Sequence, residues 1–373
     1  MKILFQSRKT LFSVPGGDTV QLLKTAEALR TRGCLVEVST DLEPDLAGYD
    51  MVHLFNLMRP QEVYLQALNA KRQGRRVALS TIYGPYVEYD RKARGGLLGV
   101  AARLLPHSQL EYLKVLARAV KNLELNRGTA SLLARGYKTL QEGIVDMTDV
   151  FLPNSSSEMA RVHADFPASV AKPHVVVPNA VDTAVFDPDA VAVSPEVLKH
   201  RGCVLSVARI EGRKCQLELV RAMRGLPWKL VLIGKPAPNH TAYYEQIKRE
   251  AGPNVEFVGQ VEHDRLAEYY KAAKVHCLIS WMETPGLSSL EAGVMGCNVV
   301  LTEKGDTRDY FGDHAFYCEP DSVESIRRQI VKAYESPEDA ALIAIIKERY
   351  CWSRTAERTE AGYRLACPDS DDK

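Results

Sequence analysis

Short apolar runs alternate with helix-period patterns from one end of this chain to the other. In the first half the runs fall at 3–5, 35–39, 51–55, 77–80, 150–152 and 174–177; in the second, at 204–208, 230–233, 255–258, 275–279, 299–301 and 315–317. Each is short enough for a buried strand, and the stretches between carry apolar residues at helical spacing. Strand–helix alternation of this kind predicts parallel sheets joined by right-handed crossovers. Two sets of six strands predict an α/β protein with two Rossmann-like, doubly wound halves. The Pro- and Asp-rich stretch 178–194 is the natural hinge between them.

Open parallel sheets bind ligands beyond the carboxyl ends of their strands. Arg209, Gly234, Gly259 and Glu283 all follow predicted strands of the second half, so they are expected along one edge. Gly16 and Gly17 follow the first strand of the first half and are expected to face them across a cleft. Pro15-Gly16-Gly17 is also a plain strand-to-helix turn, with Asp18 or Thr19 capping a helix 20–30. What glycine adds is close backbone approach to a phosphate. It is not a G-x-G-x-x-G fingerprint, so nicotinamide binding is unsupported.

The richest stretch is Glu283-Thr284-Pro285-Gly286-Leu287-Ser288-Ser289-Leu290-Glu291. Glu283 sits on the loop leaving a strand, and Glu291 in the first turn of the next helix. Helix-start amides between them suit an anionic or hydroxyl-rich ligand. Ser288-Ser289-Leu290-Glu291 also fits a capping box, in which Glu291 would only return a bond to Ser288. Glu283 has no such local use.

This segment resembles the E-x7-E signature of retaining family-4 glycosyltransferases; Glu283, Gly286, Leu287, Leu290, Glu291, Ala292 and Gly296 match it, while Thr284 and Pro285 depart. Arg209 and Lys214 resemble the family's Arg and Lys that neutralise the leaving diphosphate. Val176-Val177-Pro178-Asn179-Ala180-Val181-Asp182, continuing to Phe186-Asp187-Pro188, is similar to its linker, and Pro15-Gly16-Gly17 to its glycine loop. Cys351-Trp352-Ser353 and the helix after it resemble its terminal crossover. The resemblance spans nearly the whole chain with its elements in order. It implies the GT-B fold: an acceptor-binding domain 1–178, a nucleotide-sugar domain 179–347, a helix 348–366 crossing back, and a disordered tail 367–373.

The resemblance further implies a retaining, metal-independent hexosyltransferase, with no cofactor and a GDP- or UDP-linked sugar as co-substrate. Arg209 and Lys214 would meet the diphosphate and Glu291 the ribose. Glu283, with the amides of Pro285, Gly286 and Leu287 and with Ser288 beside them, would hold the sugar. Gly16 and Gly17 would approach the phosphates, and Gly259, Gln260 and Val261 would support the base. A glycan or lipid-linked acceptor, in cell-surface polysaccharide or lipopolysaccharide synthesis, is the expected setting. The alternatives are a GT-B sugar-nucleotide epimerase or hydrolase, or an inactive sugar-nucleotide-binding domain.

On the acceptor side, His53 and Asn56 end a strand of the first half. Tyr83 stands where many relatives carry the histidine of a T-x-H motif, and Tyr86 and Tyr89 follow as further aromatic faces. A Tyr at that place would suit a donor sugar lacking its 6-hydroxyl; the plainer reading is a hydroxyl donated to an ordinary hexose.

Composition narrows the partners. The 373 residues suffice for two well-formed cores, 46% of them are hydrophobic, and the net charge is +1, which gives no general attraction to nucleic acid. Eight scattered cysteines without a C-x-x-C pair point to a reducing cytoplasm. The first strand is too short for an export signal, and no run of about 18 apolar residues is present. Charge is uneven, however: region 91–140 holds ten Lys or Arg against Glu111 and Glu124, interleaved with leucines. It reads either as a solvated helix face or as a basic amphipathic surface for anionic membrane. The expected location is cytoplasmic, with the membrane's cytoplasmic face as a peripheral site.

Overall fold

The computed structural model describes residues 1–122 and 127–367. The chain forms two compact units, the first comprising Met1–Val87, Val100–Asn179 and the segment from Trp352 onward. The second comprises Glu88–Gly99 and Ala180–Cys351. Chain order alone put Glu88–Gly99 in the first half; its packing puts it in the second. Of the expected tail 367–373, only Cys367 is among the described residues.

In the first unit the strands are β1 (Lys2–Gln6), β2 (Leu35–Ser39), β3 (Met51–Phe55), β4 (Arg76–Ser80) and β5 (Val150–Phe151). All pair in parallel, in the order β2-β1-β3-β4-β5. Period-two alternation sends Ile3 and Phe5 to one face, where they join Leu22, Ala26 and Tyr363 from the helices Gly17–Thr31 and Trp352–Ala366. Leu4 goes to the other face, with Val63 and Ile144 from the helices Pro60–Arg72 and Tyr137–Met147. The sixth expected strand, 174–177, does not form. It makes a single bridge, Phe151 to His174, and Pro153, Pro173 and Pro178 remove the donors that a longer ladder would need.

In the second unit all six expected strands form: β6 (Val204–Val207), β7 (Leu230–Ile233), β8 (Val255–Gly259), β9 (Val275–Leu278), β10 (Asn298–Leu301) and β11 (Ala315–Tyr317). Their order is β11-β10-β9-β6-β7-β8, all parallel. From β6 the chain steps outward to β7 and β8, then returns to β9 on the other side of β6. Strand order therefore reverses between β6 and β9, and the loops leaving these two strands part there to form a crevice. Phe186, from the hinge, is fully buried in this unit's core. Five cysteines (Cys203, Cys215, Cys277, Cys297, Cys318) are buried in the second unit, where a thiol packs as a small hydrophobe.

Candidate functional site

The loops that leave β6 and β9 carry the strongest candidates. After β6 the backbone passes Ala208, where Gly234 is required: its φ is +143° and a Cβ there would stand 2.0 Å from the Ala208 carbonyl oxygen. Arg209 follows, exposed, and its guanidinium has no partner among the described residues. A turn of 3₁₀ helix, Gly212–Lys214, then ends at Cys215, whose φ of 46° is a strained value for a residue with a side chain. That turn is stitched to the loop after β9. The Arg213 carbonyl accepts the Trp281 N–H at 3.0 Å and the Ser280 hydroxyl at 3.2 Å.

The stitching brings the Lys214 ammonium onto the Glu283 carboxylate, with side chains only 11% and 10% exposed. Burial alone would raise the Glu283 pKa, but Lys214 and Arg213 outweigh it and hold the carboxyl below its ordinary value. For Lys214, burial is the largest influence; Glu283 opposes it, Arg213 adds to it, and the ammonium ends below its ordinary value. Arg213 adds to the downward shift of both partners, behind burial at Lys214 and behind Lys214 itself at Glu283: a second cation favours the carboxylate and disfavours another ammonium.

The backbone of Glu283 is fixed as well. Its N–H donates to the Lys304 carbonyl at 3.2 Å, and its carbonyl accepts from Asp306 at 2.8 Å. These bonds bridge it to Gly305, at φ +94°, where a Cβ would sit 2.2 Å from the Glu283 carbonyl oxygen. Thr302 and Ser280 tie the two loops below, with the Thr302 hydroxyl 2.5 Å from the Ser280 carbonyl. Sequence reasoning missed Ser280, Thr302, Arg213 and Gly305. Of these, Gly305 in Lys304-Gly305-Asp306 had a readable signal, since turn glycines mark left-handed backbone.

The helix after Glu283 runs Leu287–Val294 with Gly286 as its N-cap, at φ +79°. A Cβ at Gly286 would lie 2.4 Å from Leu278 and 3.5 Å from the Glu283 Oε2, so glycine alone fits beside the carboxylate. The N–H groups of Gly286, Leu287 and Ser288 have no acceptor among the described residues. Pro285, expected as a third amide donor, has no N–H and is buried, so that role is removed.

Glu291 is not a capping residue. Because the helix starts at Leu287, Ser288 lies inside it and Glu291 falls in the second turn rather than the first. Its carboxylate meets the Tyr270 hydroxyl at 2.9 Å and His263 Nε2 at 2.8 Å. Phe186 packs its edge against both rings, at 5.2 Å from His263 and 5.9 Å from Tyr270. The hinge phenylalanine therefore backs the acid. Gly259 ends β8 at φ +85° with its carbonyl bonded to the Gly234 N–H at 2.7 Å; Gln260 is exposed and Val261 half-buried. Among the described residues no group of three His, Cys, Asp or Glu side chains could hold a metal ion.

The first-unit candidates fare differently. Gly16 caps the helix Gly17–Thr31, which starts three residues earlier than expected, and the Thr19 hydroxyl accepts from the Gly16 N–H at 3.1 Å. Buried Arg8 shapes this loop, donating to Asp18 at 2.8 Å, to the Thr10 carbonyl at 2.7 Å and to the Val14 carbonyl at 3.0 Å. Nothing crowds a Cβ at Gly17, so no close packing demands glycine there.

His53 is a core residue, not an acceptor contact. Burial pushes its pKa down to about 3, and its nitrogens meet the Tyr363 hydroxyl at 2.7 Å and the Ser80 hydroxyl at 2.9 Å. Asn56, at φ 83°, uses its side chain to accept from Met58, holding the turn after β3. Tyr83 is buried and donates to Asp165 at 2.7 Å, so it offers no hydroxyl to a sugar. The reading in which Tyr83 donates its hydroxyl to an ordinary hexose falls with it. Fully buried Glu158 holds this turn, accepting from the Tyr83 N–H at 2.8 Å and from Thr81, with Ile82 strained at φ 40° between them. Tyr86 is half-buried.

The basic region 91–140 is divided between the units, with 91–99 in the second and the rest in the first. Many of its cations are engaged: Lys92 with Glu88, Arg94 with Asp90, Lys114 with Glu111, Arg127 with Glu43, Arg135 with the Tyr64 hydroxyl and Lys138 with the Asp165 carbonyl. The side chains of Leu97, Leu98, Leu116, Arg118, Lys121 and Glu124 lie outside the described residues. Val100, Leu104, Leu113 and Leu133 are exposed, Leu104 to 78%. Among the described residues no helix is long and apolar enough to cross a membrane.

Residues 194–349, which hold β6 to β11 and every acid and cation of the crevice, match the family described as glycosyl transferases group 1. The second unit is a group 1 glycosyltransferase domain. The chain is 27% identical over 242 residues to a phosphatidylinositol N-acetylglucosaminyltransferase component of Arabidopsis thaliana, covering 61% of this chain and 52% of that protein. It is 27% identical over 262 residues to a D-inositol 3-phosphate glycosyltransferase of Kribbella flavida, covering 61% and 58%. The chain thus spans just over half the length of these relatives. Among solved structures it resembles a sucrose-phosphate synthase from Thermosynechococcus elongatus (TM-score 0.73, 17% identity, 99% of this chain and 100% of that one). It also resembles Anabaena HepE in complex with UDP and glucose (TM-score 0.67, 14% identity, 97% and 98%). The fold is GT-B, and the family-4 resemblance read from the E-x7-E segment holds.

Proposed function

We propose that this group 1 domain transfers a hexose from a UDP- or GDP-linked donor to a glycan acceptor, with retention and without metal. The observation that carries the reading is the buried Lys214–Glu283 pair where strand order reverses, beside the open N–H groups of Gly286 and Leu287. A departing diphosphate gains charge, and fixed cations can offset it: Lys214 already desolvated, Arg209 unengaged and solvent-facing. Glu283, held at its backbone and beside Gly286, is suited to accept bonds from sugar hydroxyls. Glu291, steadied by Tyr270 and His263, keeps lone pairs for the ribose. In a front-face displacement the acceptor hydroxyl attacks on the side the diphosphate leaves, and the leaving phosphate takes the proton. No protein nucleophile is then required. The UDP bound by HepE favours a nucleotide diphosphate at the equivalent crevice.

A thermal-shift screen of UDP-, GDP-, ADP- and dTDP-sugars tests this, because a ligand binding only the native state must raise the melting temperature. At least one UDP- or GDP-sugar is expected to stabilise the protein and to be consumed faster with acceptor than without. Equal turnover without acceptor would point to an epimerase or hydrolase, and no stabilisation by any of them would remove the donor assignment.

We further infer a cytoplasmic setting in polysaccharide or lipopolysaccharide synthesis, with part of region 91–140 resting on anionic membrane. With many of its cations engaged in internal pairs, the exposed Val100, Leu104 and Leu133 supply much of the attraction. Co-sedimentation with liposomes is expected to rise with anionic lipid, to fall with salt and to weaken in Leu104→Asp. Equal binding to neutral vesicles, or binding to neither, overturns this docking.

A further inference from the structure

All of the short helix Val87–Lys92 but its first residue belongs to the second unit, and its side chains reach the two crevice loops, after β6 and β9, and the loop after β10 that carries Lys304. Tyr89 is buried with its hydroxyl against Gly212, where a Cβ would stand 2.8 Å from it. Gly212 opens the turn that ends in Lys214. Glu88 binds the Lys304 ammonium at 3.0 Å, and the Lys304 carbonyl accepts the Glu283 N–H at 3.2 Å. Lys92 lies 6.0 Å over the ring of Trp281, whose N–H donates to Arg213 beside Lys214. The segment is itself held, since the Asp90 carboxylate is buried and bonded to Arg94 at 2.5 Å.

Three independent contacts from one helix thus reach both members of the buried ion pair through their backbones. We propose that Glu88 and Tyr89 are positioning residues for the donor crevice: Tyr89 sets the 212–214 turn that carries Lys214, and Glu88, through Lys304, sets Glu283. The inference rests on reading the Lys214–Glu283 pair as the donor site. Neither residue touches donor; each acts through the loop it holds. A displacement near 1 Å at such a site costs on the order of 10²-fold in rate, so modest loosening has a measurable effect.

Gly212 does not occupy the left-handed region, so an alanine there strains no backbone and meets chiefly the Tyr89 hydroxyl. Gly212→Ala is expected to lower kcat by about tenfold or more. Adding Tyr89→Phe, which removes the obstructing oxygen, is expected to restore most of the loss. Glu88→Gln should lower kcat with an unchanged melting temperature, and the exchanged pair Glu88→Lys with Lys304→Glu should recover it. Hydrogen exchange gives a readout that needs no ligand: the amides of Glu283 and Asp306 should exchange faster in Glu88→Gln than in the unaltered chain. Unchanged exchange at those amides, or no recovery on adding Tyr89→Phe, overturns the positioning role. Failure of the unaltered protein to bind UDP or GDP by calorimetry would overturn the donor reading instead, and it is recognised before any residue is replaced.

Discussion

Replacing Arg209 or Lys214 by alanine is expected to lower turnover by roughly 10²–10³-fold, the scale of losing one group that stabilises developing charge. The two variants should differ in stability. Arg209 is exposed and engages nothing among the described residues, so Arg209→Ala should leave the melting temperature unchanged. Lys214→Ala removes the ammonium paired with the buried Glu283 carboxylate and leaves only the more distant charge of Arg213; breaking a buried pair in this way is destabilising, by up to about 3–5 kcal/mol. Lys214→Arg keeps a charge there. Burial lowers the Lys214 pKa despite Glu283, and charged Lys214 is the form that meets phosphate. Activity should therefore be full below that lowered pKa and lost as pH rises through it, giving an alkaline limb below the ordinary 10.5. In Lys214→Arg that limb should vanish, because arginine stays protonated. An identical limb in both proteins would assign it to another group. Loss of activity in EDTA, restored by Mg²⁺ or Mn²⁺, would defeat the cation-only account.

Glu291→Gln is expected to weaken donor binding by about 1.5–3 kcal/mol, or roughly 10- to 150-fold, as charge-assisted bonds to the ribose are lost. Glutamine is nearly isosteric, and its carbonyl can still accept the Tyr270 hydroxyl that now meets Glu291 at 2.9 Å. The melting temperature should move little. The rival account is that Glu291 exists to satisfy the buried Tyr270 hydroxyl and to hold His263. It predicts the reverse result, a lower melting temperature with donor affinity unchanged. Calorimetry with UDP and GDP beside thermal denaturation separates the two.

Parts of this protein are legible in the residue order because they are local. Apolar runs of strand length located all six strands of the second unit, and Gly286 before Leu287-Ser288-Ser289-Leu290 marked a helix start. The parallel topology followed from alternation, and with it the expectation that Arg209 and Glu283 share the carboxyl edge.

What sequence could not settle is where each side chain spends its hydrogen bonds. His53 ends its strand as a ligand contact would, yet a helix some 310 residues later in the chain brings Tyr363 onto it and closes the site as core. Tyr83 occupies the place of a sugar-contacting histidine, yet Asp165 takes its hydroxyl. Ser288 and Glu291 have capping-box spacing, but with Gly286 at φ +79° the helix begins one residue before Ser288, and Tyr270 and His263 claim the carboxylate.

The pairing of Lys214 with Glu283 and the reach of Glu88 to Lys304 are likewise tertiary. Partners so far apart in the chain leave no periodic trace in it. Sequence by itself determined the two parallel-sheet halves and the loops that bear the acids and cations. The folded structure decided which of those groups are engaged with one another and which stay open to a ligand. The physical reason is that secondary structure is set by neighbours within a few residues, whereas desolvation and hydrogen-bond satisfaction are set by whatever the fold packs alongside.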